Sequence, residues 1–316
     1  MRLRQYLIEA AQTLQKAGAD SPRLCAQVLV EKVLRLDRLA CVMQAERQLS
    51  THEIQMLDTL LARRAAGEPL AHITGSKEFY GRDFAVTPHT LIPRPETELL
   101  VDKALAAARE MVSAGNWPDS SDWAAGHDVQ PRKPESMPAG RGPCFADLGC
   151  GSGCIGITLA LELPHWQGVL ADISLQAVAT ARHNAARLGA QDRLTCLAGD
   201  MTRPPLSRGA YAMLVSNPPY IAESERGMVM EEVLEHEPHG ALFSPDHGLA
   251  HLFAAIRAAA WALMPGGRIL LEHGAAQGAD TRRLLRQHGL FEAPVTHRDM
   301  AGLERCTVAC RTERPI

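Results

Sequence analysis

The chain has 316 residues, 46% of them hydrophobic and 22% charged, with a formal net charge of -3. That is the make-up of an ordinary globular protein of roughly two domains, without the broad basic footprint of a nucleic-acid binder. No apolar run approaches the roughly 18 residues that a membrane helix needs. The opening stretch, MRLRQYLIEAAQTLQKAG, has polar residues in every turn and does not read as a signal peptide.

Residues 1–67 read as an all-helical domain. LRQYLIEAAQTLQKAG has a helical period and stops at Gly18. DSPRLCAQVLVEKVLRL opens with Ser21 as a cap and Pro22 at the first helical position. STHEIQMLDTLLARRAAG starts with Ser50 and Glu53 in capping-box spacing and ends at Gly67. Three amphipathic helices of this kind make a small bundle. Residues 68–93 change character: aromatic and β-branched residues interleave with Gly and Pro, which reads as a β-hairpin linker. A further helix opens at Pro95, with Glu96 and Glu98 in its first turn, and starts a third region, residues 94–316. Within it, residues 115–143 lack periodicity, are rich in Gly and Pro, and read as a mobile insertion.

From Cys144 onward strands and helices alternate. CFADL, GVLAD, LTCLAGD, AYAMLV and RILLEHG read as strands with helices between most of them. This predicts an α/β fold with a doubly wound, mostly parallel sheet. The final strands, FEAPVTH and RCTVACR, have no helix between them and are expected to pair antiparallel. Eight cysteines without a secretory signal point to reduced thiols and a cytoplasmic location. None forms C-x-x-C, and the irregular spacing of Cys144, Cys150 and Cys154 suits buried thiols better than zinc.

Two motifs carry chemistry. DLGCGSG sets Gly149, Cys150, Gly151, Ser152 and Gly153 between a strand and a helix. Glycine there allows close approach of a ligand to the backbone. The G-x-G-x-G spacing is one residue short of the dinucleotide fingerprint. Asp147, just before the loop, would repel a pyrophosphate and suits a ligand with an ammonium group. Asp172 ends the next strand, where a carboxylate can take two ribose hydroxyls. Asp200 ends the third, near the expected place of a nucleobase.

The second motif is VSNPPYI. Pro218 and Pro219 cannot join a sheet ladder, so the strand ends there in a stiff loop. Asn217 adds one acceptor and two donor hydrogens beside free proline carbonyls, enough to hold a planar NH2 group. An Asn-Pro turn without function is the plainer alternative.

Taken together, the glycine loop and the three acids resemble a class I S-adenosylmethionine methyltransferase. That resemblance implies a seven-stranded sheet with the last strand antiparallel, and S-adenosyl-L-methionine as cofactor. SNPPYI resembles the motif of amino methyltransferases, which act on a planar, conjugated nitrogen. The likeness extends over nearly the whole chain through DSPRL, GSKEFYGRDFAVTPHTLIPRPETELLVD, EVLEHEPHGALFSPDHGL, LMPGGRILLEHG and RDMAGLER. It is to the protein-(glutamine-N5) methyltransferases that modify class 1 peptide chain release factors. The resemblance implies that the substrate is the glutamine of a Gly-Gly-Gln tripeptide in a bacterial release factor. It puts the cofactor at Gly149–Gly153 and Asp172, and the substrate at Asn217, Pro218, Pro219 and Tyr220. Met201 stands where relatives often carry an aromatic over the adenine, and altered donor affinity is the expectation. The 115–143 insertion has no counterpart in the family pattern.

The competing class is a DNA or RNA amino methyltransferase, which shares the donor site and NPPY. The charge of -3 and the helical domain disfavour it, and no direct nucleic-acid substrate or membrane partner is expected. A NAD-binding oxidoreductase is disfavoured by the loop spacing and by Asp147. A non-catalytic binding module leaves Asn217 without a task. Glu235, His236, Glu237 and His239 resemble a metal cluster only in composition, so no metal is expected. Arg63 and Arg64 read as a helix surface or a release-factor contact. HNAARLG reads as a solvated helix face.

Overall fold

The computed structural model describes residues 1–113 and 142–314. The 115–143 insertion therefore falls, apart from its last two residues, outside the described residues. The chain divides into two compact units. One comprises Met1–Lys77, Val86–Pro88 and Val229–Glu237; the other comprises Glu78–Ala85, His89–Met228 and Pro238–Ile316.

The first unit contains helices α1 (Leu3–Lys16), α2 (Pro22–Leu34), α3 (Arg38–Met43), α4 (Thr51–Ala65) and α5 (Leu70–Thr74). In α1 the buried residues are Leu3, Tyr6, Ala10 and Leu14, one stripe at helical spacing. The stripe packs with Cys25, Val30, Cys41 and Leu57 into a small core. Ser50 and Glu53 form the expected capping box ahead of α4. Ser21 does not cap α2: its backbone is left-handed (φ 49°) and its side chain makes no cap hydrogen bond. Residues 1–67 also hold four helices, where periodicity predicts three, and α5 falls within residues 68–93, read as a β-hairpin linker. The two unpredicted ones, six and five residues long, are too short for a period to register.

Arg64 corrects the reading of the Arg63–Arg64 pair as a surface. Its side chain is buried, and its Nη1 donates to Glu232 Oε2 at 2.9 Å and to the Glu68 carbonyl at 2.8 Å. Glu232 lies in a short helix, Glu231–His236, that the chain contributes to this unit from the Val229–Glu237 segment. Arg63 is the exposed member and pairs with Glu68.

Residues 68–93 include the two strands β1 (Ser76–Phe79) and β2 (Arg82–Ala85), which form a two-stranded sheet. A 3₁₀ turn, Pro95–Thr97, then leads into α6 (Glu98–Ser113). Glu98 accepts the backbone N–H of Tyr80 at 2.8 Å.

The sheet of the second unit has seven strands: β3 (Cys144–Leu148), β4 (Gln167–Asp172), β5 (Leu194–Ala198), β6 (Tyr211–Ser216), β7 (Leu263–Glu272), β8 (Phe291–Arg298) and β9 (Glu304–Arg311). Their order is β5-β4-β3-β6-β7-β9-β8. The first five run parallel, and β9 is antiparallel to both its neighbours. The helices α7 (Cys154–Glu162), α8 (Leu175–Arg187), α9 (Ala250–Ala262) and α10 (Gly278–His288) complete the alternation. All six residues of β6 are buried, as a central strand covered on both faces requires.

The chain moves outward from β3 through β4 to β5, then returns to the other side of β3 with β6. This reversal opens a crevice at the carboxyl ends of β3 and β6, where doubly wound sheets bind ligands. HNAARLG is not simply a solvated face: Asn184 of α8 is fully buried. Its amide bonds Ala85 N–H at 2.8 Å and the Ala85 and Ser152 carbonyls at 2.9 Å each.

Candidate active site

Sheet register gathers the motifs. Leu148 pairs with Ala171 on one side and Ser216 on the other, and Ser216 pairs with Leu271. The residues one step beyond these pairs are Gly149, Asp172, Asn217 and Glu272, from four strands. Parallel strands with their ends level thus place at one edge groups that lie up to 123 residues apart in sequence. Ser216 Oγ donates to the Leu148 carbonyl at 2.6 Å and ties the two central strand ends together.

The crevice is lined by Gly149 and Gly151 of the glycine loop, by Asp172, Asp200 and Met201, and by Asn217 and Pro219. Gly151 has φ 54°, and nothing lies within 4 Å of the position a Cβ would take, so its backbone is open to a ligand. Gly153 (φ 81°) serves packing instead: a Cβ there would lie 2.7 Å from Ile157. Cys150, Ser152 and Gly153 are not among the lining residues. Asp172 is held by two backbone amides, Gly151 N–H and Ser174 N–H, at 2.9 Å to one carboxylate oxygen each. Each oxygen keeps a further lone pair for a hydroxyl donor.

Asp147 is fully buried, does not line the crevice and accepts Gly156 N–H at 2.9 Å through Oδ2. Its Oδ1 has no hydrogen-bond partner. Burial, reinforced by the charge of Asp172, pushes its carboxyl up to about 7 against the pull of the Gly156 amide. Buried behind the glycine loop and bonded to the helix that follows it, this carboxyl does not face the crevice, in contrast to its expected place beside the donor.

Met201 lies against Gly149, with its Cε 3.4 Å from the position of an added Cβ. The crevice also takes in residues that sequence reasoning missed: His89, Thr90, Leu91, Ile173 and His251. His251 Nδ1 lies 2.8 Å from the Ser244 hydroxyl, and its imidazole is kept below the usual histidine range by burial. No local motif marks these residues, because only tertiary packing brings them to the rim.

Asn217 Nδ2 donates to Thr97 Oγ1 at 3.2 Å. Tyr220 is largely buried behind the crevice, and its carbonyl accepts Gln277 Nε2 at 2.8 Å. Burial, with the nearby Glu272 charge adding to it, raises the Tyr220 phenol to about 12. Among the described residues no group of His, Cys, Asp and Glu is arranged to hold a metal ion.

Residues 5–75 match the profile of the PrmC N-terminal domain, and residues 135–242 match the methyltransferase small domain. The release factor glutamine methyltransferase of Nitratidesulfovibrio vulgaris is 40% identical over 98% of this chain and 95% of its own length. The protein of the same name from Bordetella pertussis is 39% identical over 92% of this chain and 95% of its own length. The chain belongs to the release factor glutamine methyltransferase family. A bifunctional methyltransferase of Rickettsia conorii is 34% identical over 96% of this chain, which spans 56% of that protein.

Among solved structures, the catalytic domain of hMettl16 in complex with MAT2A 3′UTR hairpin 6 aligns with a TM-score of 0.51 at 13% identity. The alignment covers 81% of this chain and 82% of that one, a likeness of fold. The family's methyl donor is S-adenosyl-L-methionine, and the open Gly151 backbone and the oriented Asp172 carboxylate fit it. No helix among the described residues is long and apolar enough to cross a membrane.

Proposed function

We propose that this protein methylates the side-chain amide N5 of the glutamine in the Gly-Gly-Gln motif of class 1 peptide chain release factors, acting in the cytoplasm. The observation that carries the reading is the position of Asn217. It stands at the carboxyl end of β6, level with the glycine loop and inside the crevice. Bound there, S-adenosylmethionine supplies a methyl group on a sulfonium sulfur.

Asp172 takes the ribose hydroxyls, the glycine loop lies against the donor, and Met201 with Ile173 offers apolar surface to the base. The acceptor is a poor nucleophile, because an amide nitrogen shares its lone pair with the carbonyl. Asn217 Oδ1 and the Pro218 carbonyl accept its two N–H groups and orient the nitrogen. Positioning of this kind can be worth about 7–11 kcal/mol. Tyr220 packs beside the acceptor plane. The proton that the nitrogen gives up leaves to water.

Selectivity among glutamines needs more than an amide-binding group. Gly-Gly before the glutamine lets the backbone approach where side chains would block it. The helical unit, which exposes Leu39, Val42 and Met43 on α3, supplies a second contact to the release factor. The test is methyl transfer from labelled donor to purified release factor, with nucleic acid as the parallel acceptor and peptide mapping of the product. Label on the glutamine of Gly-Gly-Gln supports the reading; label only in RNA or DNA overturns it.

A further inference from the structure

Glu272 ends β7, one strand away from Asn217, and only 2% of it is exposed. A buried carboxylate without a cation or a full set of donors is costly, so its presence calls for a reason. Thr97 and Asn217 are the polar neighbours that favour its ionised form, while its Oε2 has no partner. Thr97 is itself buried and accepts Asn217 Nδ2 at 3.2 Å.

The directions of these bonds matter. An ionised carboxylate can only accept. The Thr97 hydroxyl spends its one hydrogen on Glu272 and can then only accept from Asn217. Both acceptors therefore face the NH2 end of Asn217. Turned by 180°, Asn217 would set its oxygen against a carboxylate and a hydroxyl oxygen. We propose that Glu272, acting through Thr97, is a positioning residue that fixes the rotamer of Asn217 so that its Oδ1, not its NH2, faces the acceptor amide. An Asn217 in the other orientation would present donors to an NH2 group that needs acceptors. The inference rests on the reading of Asn217 as the residue that holds the acceptor.

The lock depends on ionisation. A protonated Glu272 gains an O–H that can donate to Asn217 Oδ1, and the preference for one orientation is lost. Burial is the main cause that raises the Glu272 carboxyl to about 7. The groups around it are Arg305 and Cys306 of β9, Glu96 of the 3₁₀ turn, Tyr220 beyond β6 and Cys154 of α7. Arg305 favours the ionised form and Glu96 opposes it. The thiols and the phenol are themselves pushed upward by burial and stay neutral near pH 7. Loss of the lock on acidification therefore lowers turnover as pH falls through about 7, without loss of donor binding.

The test compares Glu272→Gln, Glu272→Met and Thr97→Val in the full chain, using intact release factor as acceptor. It measures kcat against pH, KM for release factor, donor Kd by calorimetry and Tm. For Glu272→Met and Thr97→Val the expected result is a fall in kcat of about tenfold to a hundredfold, as an unmatched polar partner implies. Donor Kd and KM should stay within about twofold. Glu272→Gln keeps an acceptor oxygen, so it should retain most of the turnover at pH 8.5 and lose the acid limb near 7. Wild-type kcat in Glu272→Met, or an unchanged acid limb in Glu272→Gln, overturns the proposal. So does a parallel loss of donor binding and kcat in Thr97→Val. An active Asn217→Ala protein would instead overturn the underlying reading of the site.

Discussion

In the helical unit, the buried Arg64 guanidinium meets Glu232 at 2.9 Å and also donates to a backbone carbonyl. In the methyltransferase unit, the two fully buried carboxylates, Asp147 and Glu272, each keep one oxygen without a partner. The first arrangement satisfies a charge locally and stabilises a small bundle. The second leaves hydrogen-bonding capacity unspent at the ends of β3 and β7, where the donor and the acceptor are proposed to bind. The contrast lies in the kind of buried group: the helical unit sets its buried cation against Glu232, with Arg64 Nε left over, whereas the second unit sets two buried, half-satisfied carboxylates at the reactive edge of the sheet.

The sharpest way to break this comparison is at Asn217. Asn217→Ala should lower methyl transfer by at least ~100-fold, the scale of a mispositioned reactant, while donor binding survives. Near-normal turnover of the folded variant would remove the site from this edge of the sheet. Asp172→Ala should weaken donor affinity by about tenfold to a hundredfold, because charged hydrogen bonds are worth about 1.5–3 kcal/mol. An unchanged Kd in calorimetry would show that the ribose is held elsewhere.

On the structural side, Arg64→Met should cost about 1–2 kcal/mol in denaturant unfolding. That is below the ~3–5 kcal/mol of a fully buried pair, because Glu232 reaches solvent. A stability equal to wild type would show that the pair is ornamental. Asp147→Asn sharpens the contrast from the opposite side. The Asp147 carboxyl is raised in the folded state to about 7 from an ordinary value of 3.8, so folding takes up a proton. Stability is therefore greatest below the unfolded value and falls as pH rises through about 7. Without donor, the Asn variant should melt a few degrees above wild type at pH 8, and the gap should close near pH 4. A gap independent of pH would assign the effect to packing. Smallest of all, replacement of residues 116–141 by a short Gly/Ser linker should leave turnover unchanged. Loop length enters stability slowly, at about 0.6 kcal/mol per doubling. A large fall in turnover would give the insertion a role in the site.

Much of the second unit was legible because its signals are local. Gly149 and Gly151 announce a tight strand-to-helix turn, and Pro218 and Pro219 announce where β6 must stop. The period of apolar residues marks the seven strands. What escaped depends on register. Thr97 lies 120 residues from Asn217, and only the packing of the 3₁₀ turn against β6 joins them. Glu272, inside an apolar strand, reads as a polar strand end until the level of β6 is known. The burial of Arg64 follows from a helix 168 residues away. Asn184 sits on a helix whose other residues suit solvent, and its amide spans two backbone segments that no pattern ties to it. Short helices such as α3 and α5 have too few residues for a period. Cap chemistry fails where a left-handed residue, Ser21, begins the helix instead.

The separation of chemistry from selection has a direct test in kcat/KM for two acceptors, intact release factor and a short Gly-Gly-Gln peptide. Both would be measured with the wild-type enzyme and with the double variant Val42→Ser, Met43→Ser, which alters the exposed face of α3. The account predicts a much lower kcat/KM for the peptide with wild-type enzyme. It also predicts a clear fall for intact release factor in the double variant, with the peptide value and donor Kd unchanged. Equal kcat/KM for peptide and protein, with no effect of the double variant on either, would contradict it and return all of the selectivity to the crevice around Asn217.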